Sequence, residues 1–240
     1  MDRLLQRQLP APGDRGPRRR RRPAARRHRA RPVTAPALPS ATVVLRRGPE
    51  VLLVQRSSAL RNYAGMWVFP GGRVDAVDAH ADPLVAARRA AARELAEETG
   101  VRLDPAALRP LARWTTPVER SRRFRAWFFL ADATTDAVVQ VDQQEIVGHR
   151  WVEPVAALER QAAGEWILPP PVFVTLTALG AGIDEAAEPL LYDPRTAPVD
   201  GGHVSLYAGD AGFESGDAAL PGARHRLWMD GPRWRYERGG

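Results

Sequence analysis

The sequence predicts a chain of the α/β class, α+β in type, and three features carry that prediction. Two β-branched and aliphatic runs, residues 41 to 46 and 51 to 55, flank a short turn; Pro83–Thr99 is built almost wholly of strong helix formers; strand-like runs return at residues 108 to 116, 124 to 131 and 145 to 152.

The elements follow in order. The first two runs read as a hairpin across Arg47-Gly48-Pro49-Glu50. Trp67-Val68-Phe69 reads as a short strand entering the turn Pro70-Gly71-Gly72, and an acidic loop with Asp75, Asp78 and Asp82 follows. The helix then has Asp82 as N-cap, Pro83 at its first position and Gly100 just beyond its end. A polar loop, residues 117 to 123, separates the next two strands. Residues 154 to 163 and 171 to 179 read as short helices, the second with an apolar face of Val172, Phe173, Leu176 and Leu179 that should cover the sheet. From Glu188 the chain turns rich in Gly, Pro and Asp, with β-like pieces at 203 to 208 and at 224 to 229, the latter paired across Asp230-Gly231-Pro232 with 234 to 237. The expected division is a tail (1–38), a domain (39–183) and an extension packed on it (184–240), as lid, part of the sheet or dimer contact. Trp228 and Trp234 read as packing residues.

Composition limits the chemistry. With 240 residues and 44% apolar content the chain can bury a core. It has no cysteine, which excludes disulfides, thiolate metal sites and a Cys nucleophile and fits a reducing, cytoplasmic location. Every basic residue other than His is Arg. Residues 1 to 38 hold twelve Arg against two Asp, a local balance of +10 within a chain total of +7, so residues 39 to 240 carry −3. The run from Arg18 to Arg22 among prolines has no periodicity and is expected to be disordered. Such a tail is a solvated extension, a misassigned translation start or an arm for nucleic acid; nucleic acid is not the expected partner, and no apolar run reaches the ~18 residues needed to span a bilayer.

The helix carries the chemistry. Glu94, Glu97 and Glu98 stand at i, i+3 and i+4, so their carboxylates share a face. At ~6 Å and an effective dielectric near 20, each pair of like charges repels by roughly 3 kcal/mol, a sign that a cation reverses. Oxygen ligands alone suit Mg²⁺ or Mn²⁺. Spacing leaves open a solvated face paired with Arg88, Arg89 and Arg93.

Gly71-Gly72 followed by Arg93-Glu94-Leu95-Ala96-Glu97-Glu98-Thr99-Gly100-Val101 resembles the Nudix box, G-x5-E-x7-R-E-U-x-E-E-x-G-U with U aliphatic. The resemblance implies an α/β/α sandwich with a mixed sheet and hydrolysis of a nucleoside-linked diphosphate. It makes Glu94, Glu97 and Glu98, with Gly72, the holders of Mg²⁺ or Mn²⁺. One departure stands out. Counting from Gly72 puts Asp78 at the first Glu of the box, but fourteen residues, 79 to 92, then fill a gap where seven are expected; counting back from Arg93 puts Val85 there. In the family that Glu steadies the Arg of the box, so Arg93 needs Asp78, Asp82 or another partner.

Upstream, residues 52 to 72 resemble the signature of the coenzyme A diphosphatases, L-L-T-x-R-S/A-x3-R-x3-G-x3-F-P-G-G, with Val54 in place of Thr. Arg56 and Arg61 match its arginines and Gly65 its glycine; a guanidinium fork suits phosphate, and Gly65 and Gly71 let backbone approach a ligand. Downstream, Trp114-Thr115-Thr116-Pro117 and Arg122-Arg123-Phe124 match W-x-T-P and R-R-F-D-T-x-F-F, except that Arg125-Ala126 replaces Asp-Thr. Arg122 is a further candidate for substrate phosphate, and Glu145, just before a strand, a candidate base or metal ligand. The resemblance covers roughly residues 40 to 180 and implies cleavage of CoA or an acyl-CoA, with Arg93 orienting the carboxylates and Glu97, Glu98 or Glu145 taking the proton. ADP-ribose, NADH, dinucleoside polyphosphates and noncanonical nucleoside triphosphates are rival substrates. A non-catalytic nucleotide- or RNA-binding module is the alternative of a different class, and a homodimer is possible.

Overall fold

The computed structural model describes residues 36–60, 62–183 and 187–239. The expectations for Arg61 and for the tail up to residue 35 lie outside the described residues. The order of elements is β1 (Leu38–Arg47), β2 (Glu50–Arg56), β3 (Trp67–Val68), β4 (Gly71–Arg73), α1 (Pro83–Thr99), β5 (Arg109–Thr115), β6 (Phe124–Asp132), β7 (Ile146–Val152), α2 (Pro154–Ala162), α3 (Pro170–Ala181), β8 (Leu190–Tyr192), β9 (Arg195–Val199), β10 (Gly202–Leu206), β11 (Arg224–Met229) and β12 (Arg235–Gly239).

The first eight strands form one mixed sheet, β3-β2-β1-β6-β5-β8, with β4 also on β1 and β7 also on β2. β1 and β2 pair only next to their turn, Arg46 opposite Val51 and Arg47 opposite Glu50, so the loop is shorter than the sequence implies. Beyond that the hairpin splays. β3 fills the opening on β2 and β4 fills it on β1, with Ala41 opposite Gly72 and Thr42 opposite Gly71. β6 runs parallel to β1 along its whole length.

Strand alternation divides the core between two faces. Val43, Leu45, Leu52, Val54, Phe129 and Ala131 meet α1, whereas Val44, Val51, Leu53, Phe128 and Leu130 meet α2 and α3, which gives the expected α/β/α layering. α1 presents Ala87, Ala90, Ala91 and Leu95 to the sheet. These side chains are mostly small and bring the helix backbone close, so even the short carboxylate arms of α1 reach β4. Its ends are as the sequence predicts: Asp82 Oδ1 accepts from the Leu84 N–H at 2.8 Å, and Gly100 (φ 73°) closes the helix in the left-handed conformation.

The extension completes the sheet and adds a second. β8 joins the edge of β5 in parallel, stacking Tyr192 on Trp114 with ring centroids 3.8 Å apart. The second sheet, β12-β11-β10-β9, is antiparallel, and its Tyr207, Leu227 and Met229 enter the core on the α2/α3 side. Pro198 lies on β9, an edge strand, where its missing N–H costs no ladder bond. Trp234 packs against Phe173 at 5.4 Å, and Trp228 lies under the guanidiniums of Arg226 and Arg235. No described helix is long and apolar enough to cross a membrane.

Candidate active site

The site begins where β4 crosses β1. A Cβ on Gly71 (φ 155°) would lie 2.3 Å from the Ala41 carbonyl oxygen, so only glycine lets the two backbones meet. The Gly71 N–H donates to Glu98 Oε2 at 2.9 Å. A Cβ on Gly72 would lie 2.3 Å from the Glu94 carboxyl, which therefore rests against the Gly72 backbone. The clash in Gly72→Ala is with the end of a side chain, so the fold should survive while Glu94 is pushed aside. We expect that variant to lose about 100-fold in kcat with its melting temperature little changed, as steady-state kinetics and calorimetry would show.

Asp78 resolves the inserted segment of the box. A single 3-10 turn, Ala76–Asp78, brings Asp78 back to α1, and the remaining inserted residues lead on to the Asp82 cap. Arg93 donates to Asp78 through Nε (3.1 Å) and Nη2 (2.9 Å), to the Arg73 carbonyl (3.0 Å), and through Nη1 to Glu94 Oε1 (3.0 Å) and Glu97 Oε2 (2.9 Å). Asp78 is 3% exposed; burial alone would raise its pKa, but the Arg93 fork holds it below the usual carboxylate range. Arg93 thus ties the inserted loop, β4 and two box glutamates together.

Glu98 is 5% exposed, and burial raises its pKa from 4.5 to about 8 against the opposing pull of the Gly71 N–H and Arg56; Glu94 and Glu145 push it further up. Burial also raises Glu94. Between its unfolded and folded values Glu98 holds a proton in the folded state that the unfolded chain releases, so its contribution to stability falls as pH rises from about 4.5 to 8. His149 and His225, lowered by burial, act in the opposite sense up to their ordinary 6.5, so the comparison must be with Glu98→Gln. In EDTA, the melting temperature of wild type minus that of Glu98→Gln is expected to drop across that window, and Mg²⁺ is expected to restore it increasingly as pH rises. A flat difference would contradict the burial of Glu98.

Arg56 links Glu98 to Glu145: its Nη1 lies 3.7 Å from Glu98 Oε1 and its Nη2 3.6 Å from Glu145 Oε2. The loop after β2 closes on the same residue. The Arg56 N–H donates to the Met66 carbonyl, the Gly65 N–H to the Arg56 carbonyl, and Arg56 Nε to the Asn62 carbonyl at 3.3 Å. Gly65 (φ 71°) supplies the left-handed residue of that turn. Tyr63 is also left-handed (φ 53°), 43% exposed, and within electrostatic reach of Arg56 and Arg120; nothing in its sequence context singles it out. Arg122 stands apart from this network, exposed on its loop with its guanidinium 5.3 Å from the Phe124 ring centroid.

The predicted carboxylates therefore fall into two linked groups, Glu94 and Glu97 on Arg93, and Glu98 and Glu145 on Arg56. As they stand, no three His, Asp or Glu side chains among the described residues converge to hold a metal ion. The donor set still fits a hard divalent cation. It is oxygen only, its carboxylates now face guanidiniums, and for buried Glu98 the Arg56 guanidinium at 3.7 Å and the Gly71 N–H do not offset the desolvation of its ionised form.

A family model of the NUDIX domain matches residues 36–169. The chain is 28% identical over 164 residues to putative nudix hydrolase 7 of Caenorhabditis elegans, covering 54% of this chain and 55% of that protein. It is 34% identical over 77 residues to acyl-coenzyme A diphosphatase NUDT19 of Xenopus laevis, covering 30% of this chain and 20% of that protein. The matches thus span about half, or less, of these relatives' length. The crystal structure of a NUDIX hydrolase from Alicyclobacillus acidocaldarius superposes with a TM-score of 0.56 at 24% identity, over 61% of this chain and 92% of that one, a likeness of fold. With the box helix, the Gly-Gly turn and the layered mixed sheet in place, the chain belongs to the Nudix hydrolase family.

Proposed function

We propose that this protein hydrolyses a diphosphate joining a nucleoside to a second group, and that its substrate is CoA or an acyl-CoA, cleaved to a 4′-phosphopantetheine product and adenosine 3′,5′-bisphosphate. The observation that carries the reading is Glu98, a buried carboxylate held against the Gly71 N–H and facing Arg56 and Glu145. Glu94, Glu97 and Glu98, with Gly72, would hold Mg²⁺ or Mn²⁺, which when bound would neutralise charge on the diphosphate oxygens and acidify a water. Arg93 holds Glu94 and Glu97 in register. One of Glu97, Glu98 and Glu145 accepts the proton of the water that attacks phosphorus, and the bridging P–O bond breaks to leave two phosphomonoesters. Arg56, now paired with Glu98 and Glu145, would meet the anionic oxygens of the diphosphate together with Arg61 and Arg122. Residues 39–183 form the catalytic domain in this reading and 184–240 its extension.

The similarity to NUDT19 and the residues around Arg56 and Gly65 support the CoA assignment. Arg125-Ala126, in place of Asp-Thr, favours keeping ADP-ribose and NADH as second readings, since it changes the charge opposite Pro39 and Ser40 at the start of β1. Hydrolysis of CoA, 3′-dephospho-CoA, ADP-ribose and NADH, each with Mg²⁺, separates them. CoA should be turned over fastest; background rates on CoA alongside efficient cleavage of ADP-ribose would sink the CoA assignment.

A further inference from the structure

We propose that Asp142 is a positioning residue that presets Glu145 against Arg56 and Glu98 by capturing the backbone of the 140–146 loop. The inference rests on the reading of Glu145 as part of the site. Asp142 Oδ1 accepts the N–H groups of Gln144 (3.1 Å) and Ile146 (2.9 Å), and Oδ2 accepts that of Glu145 itself (3.2 Å). One carboxylate thus fixes three of the four residues that follow it. The residue between, Gln143, is held at φ 60°, a left-handed conformation that a non-glycine residue keeps only where its surroundings impose it.

The captured loop is tied at both ends. The Gln140 N–H donates to the Thr99 carbonyl at the end of α1 (2.8 Å), and the Ser57 N–H, one residue past Arg56, donates to the Glu145 carbonyl (2.8 Å). Helix α1, which carries Glu98, and strand β2, which ends in Arg56, are therefore both fastened to the segment that carries Glu145. The Glu145 side chain is 60% exposed, so packing does little to orient it. Its direction is set by its backbone and by the guanidinium 3.6 Å away. Burial would raise the pKa of Asp142, but the three N–H donors hold it below the usual range, which keeps the capturing group ionised at neutral pH. A supporting residue of this kind typically changes activity 10- to 100-fold when it is lost.

The test uses Asp142→Ala, Asp142→Asn, Glu145→Gln and the Asp142→Ala/Glu145→Gln pair in the full chain, assayed on CoA and ADP-ribose with Mg²⁺. In parallel, amide hydrogen exchange of residues 143 to 146 is followed without metal. Asp142→Ala should lower kcat about 10- to 100-fold with KM within about threefold, speed exchange in the loop, and add nothing once Glu145 is Gln. Asp142→Asn keeps an oxygen for two of the three N–H groups and should recover most of the activity. Wild-type turnover by Asp142→Ala when Glu145→Gln is impaired, or additive losses in the pair, would overturn the positioning role and leave Glu145 in the site. Full activity in Glu145→Gln would instead overturn the reading of Glu145 and this inference with it.

Discussion

Glu98→Gln is expected to lower kcat by about two to four orders of magnitude on whichever diphosphate the protein cleaves, while the folded state persists. The amide oxygen of Gln can still accept the Gly71 N–H, which the native carboxylate does at 2.9 Å, so the contact between α1 and the Gly-Gly turn is kept. What is lost is the charge. Glu98 is the most buried of the box glutamates, so no water replaces it as a cation ligand or proton acceptor. Because its ionised form is disfavoured in the metal-free protein, the variant should melt at or above the wild-type temperature at pH 8 in EDTA. Kinetics and calorimetry on one preparation decide it. Near wild-type turnover would remove Glu98 from the chemistry, and a large fall in melting temperature would make its role structural.

Asp210→Ala is expected to cost about 3 to 5 kcal/mol of stability. Asp210 and Arg226 are almost completely buried and meet in two parallel bonds, Nε to Oδ2 at 2.7 Å and Nη2 to Oδ1 at 2.6 Å. The same carboxylate accepts the backbone N–H groups of Gly212 (2.8 Å) and His225 (2.9 Å). Removing it leaves the buried guanidinium with only the Ala218 carbonyl as a hydrogen-bond partner among the described residues and two backbone donors unpaired. For a chain of this size that corresponds to a fall of roughly 10 °C in melting temperature. Denaturant titration measures it; a loss below about 1 kcal/mol would mean the segment after β10 is not held to β11 through this pair. Replacing both residues by apolar ones of similar volume should cost less than Asp210→Ala alone, since the penalty lies in the uncompensated charge.

What the sequence disclosed and what it hid follow from how local each determinant is. Helix α1 was legible to the residue because Asp82, Pro83 and Gly100 act within one turn of its ends and the helix formers lie between. The spacing of Glu94, Glu97 and Glu98 was legible for the same reason, and Arg93 was among the partners their face offered, but the pairing of Glu98 with Arg56 was not. The count from Gly72 already named Asp78 as a partner for Arg93, but the extra residues in the box left Asp82 beside it, and only the 3-10 turn that folds back onto α1 decides between them. Asp142 looks like an ordinary loop residue until the three N–H groups around it are seen. The extension was the least legible part. β8 is three residues long and owes its existence to β5, far away in sequence, while β9 contains a proline that only an edge strand tolerates. Asp210 and Arg226 carry no mark that one buries the other.

In the proposed function, the carboxylates on α1 and the Gly71-Gly72 turn carry out a cation-dependent diphosphate hydrolysis. Its most direct test is the release of adenosine 3′,5′-bisphosphate from CoA, and of AMP from ADP-ribose, by the wild-type protein with Mg²⁺ and with EDTA. At least one substrate should be split into two phosphomonoesters with Mg²⁺, and EDTA should abolish the cleavage. Equal rates in EDTA, or no cleavage of either compound by folded protein, would contradict it.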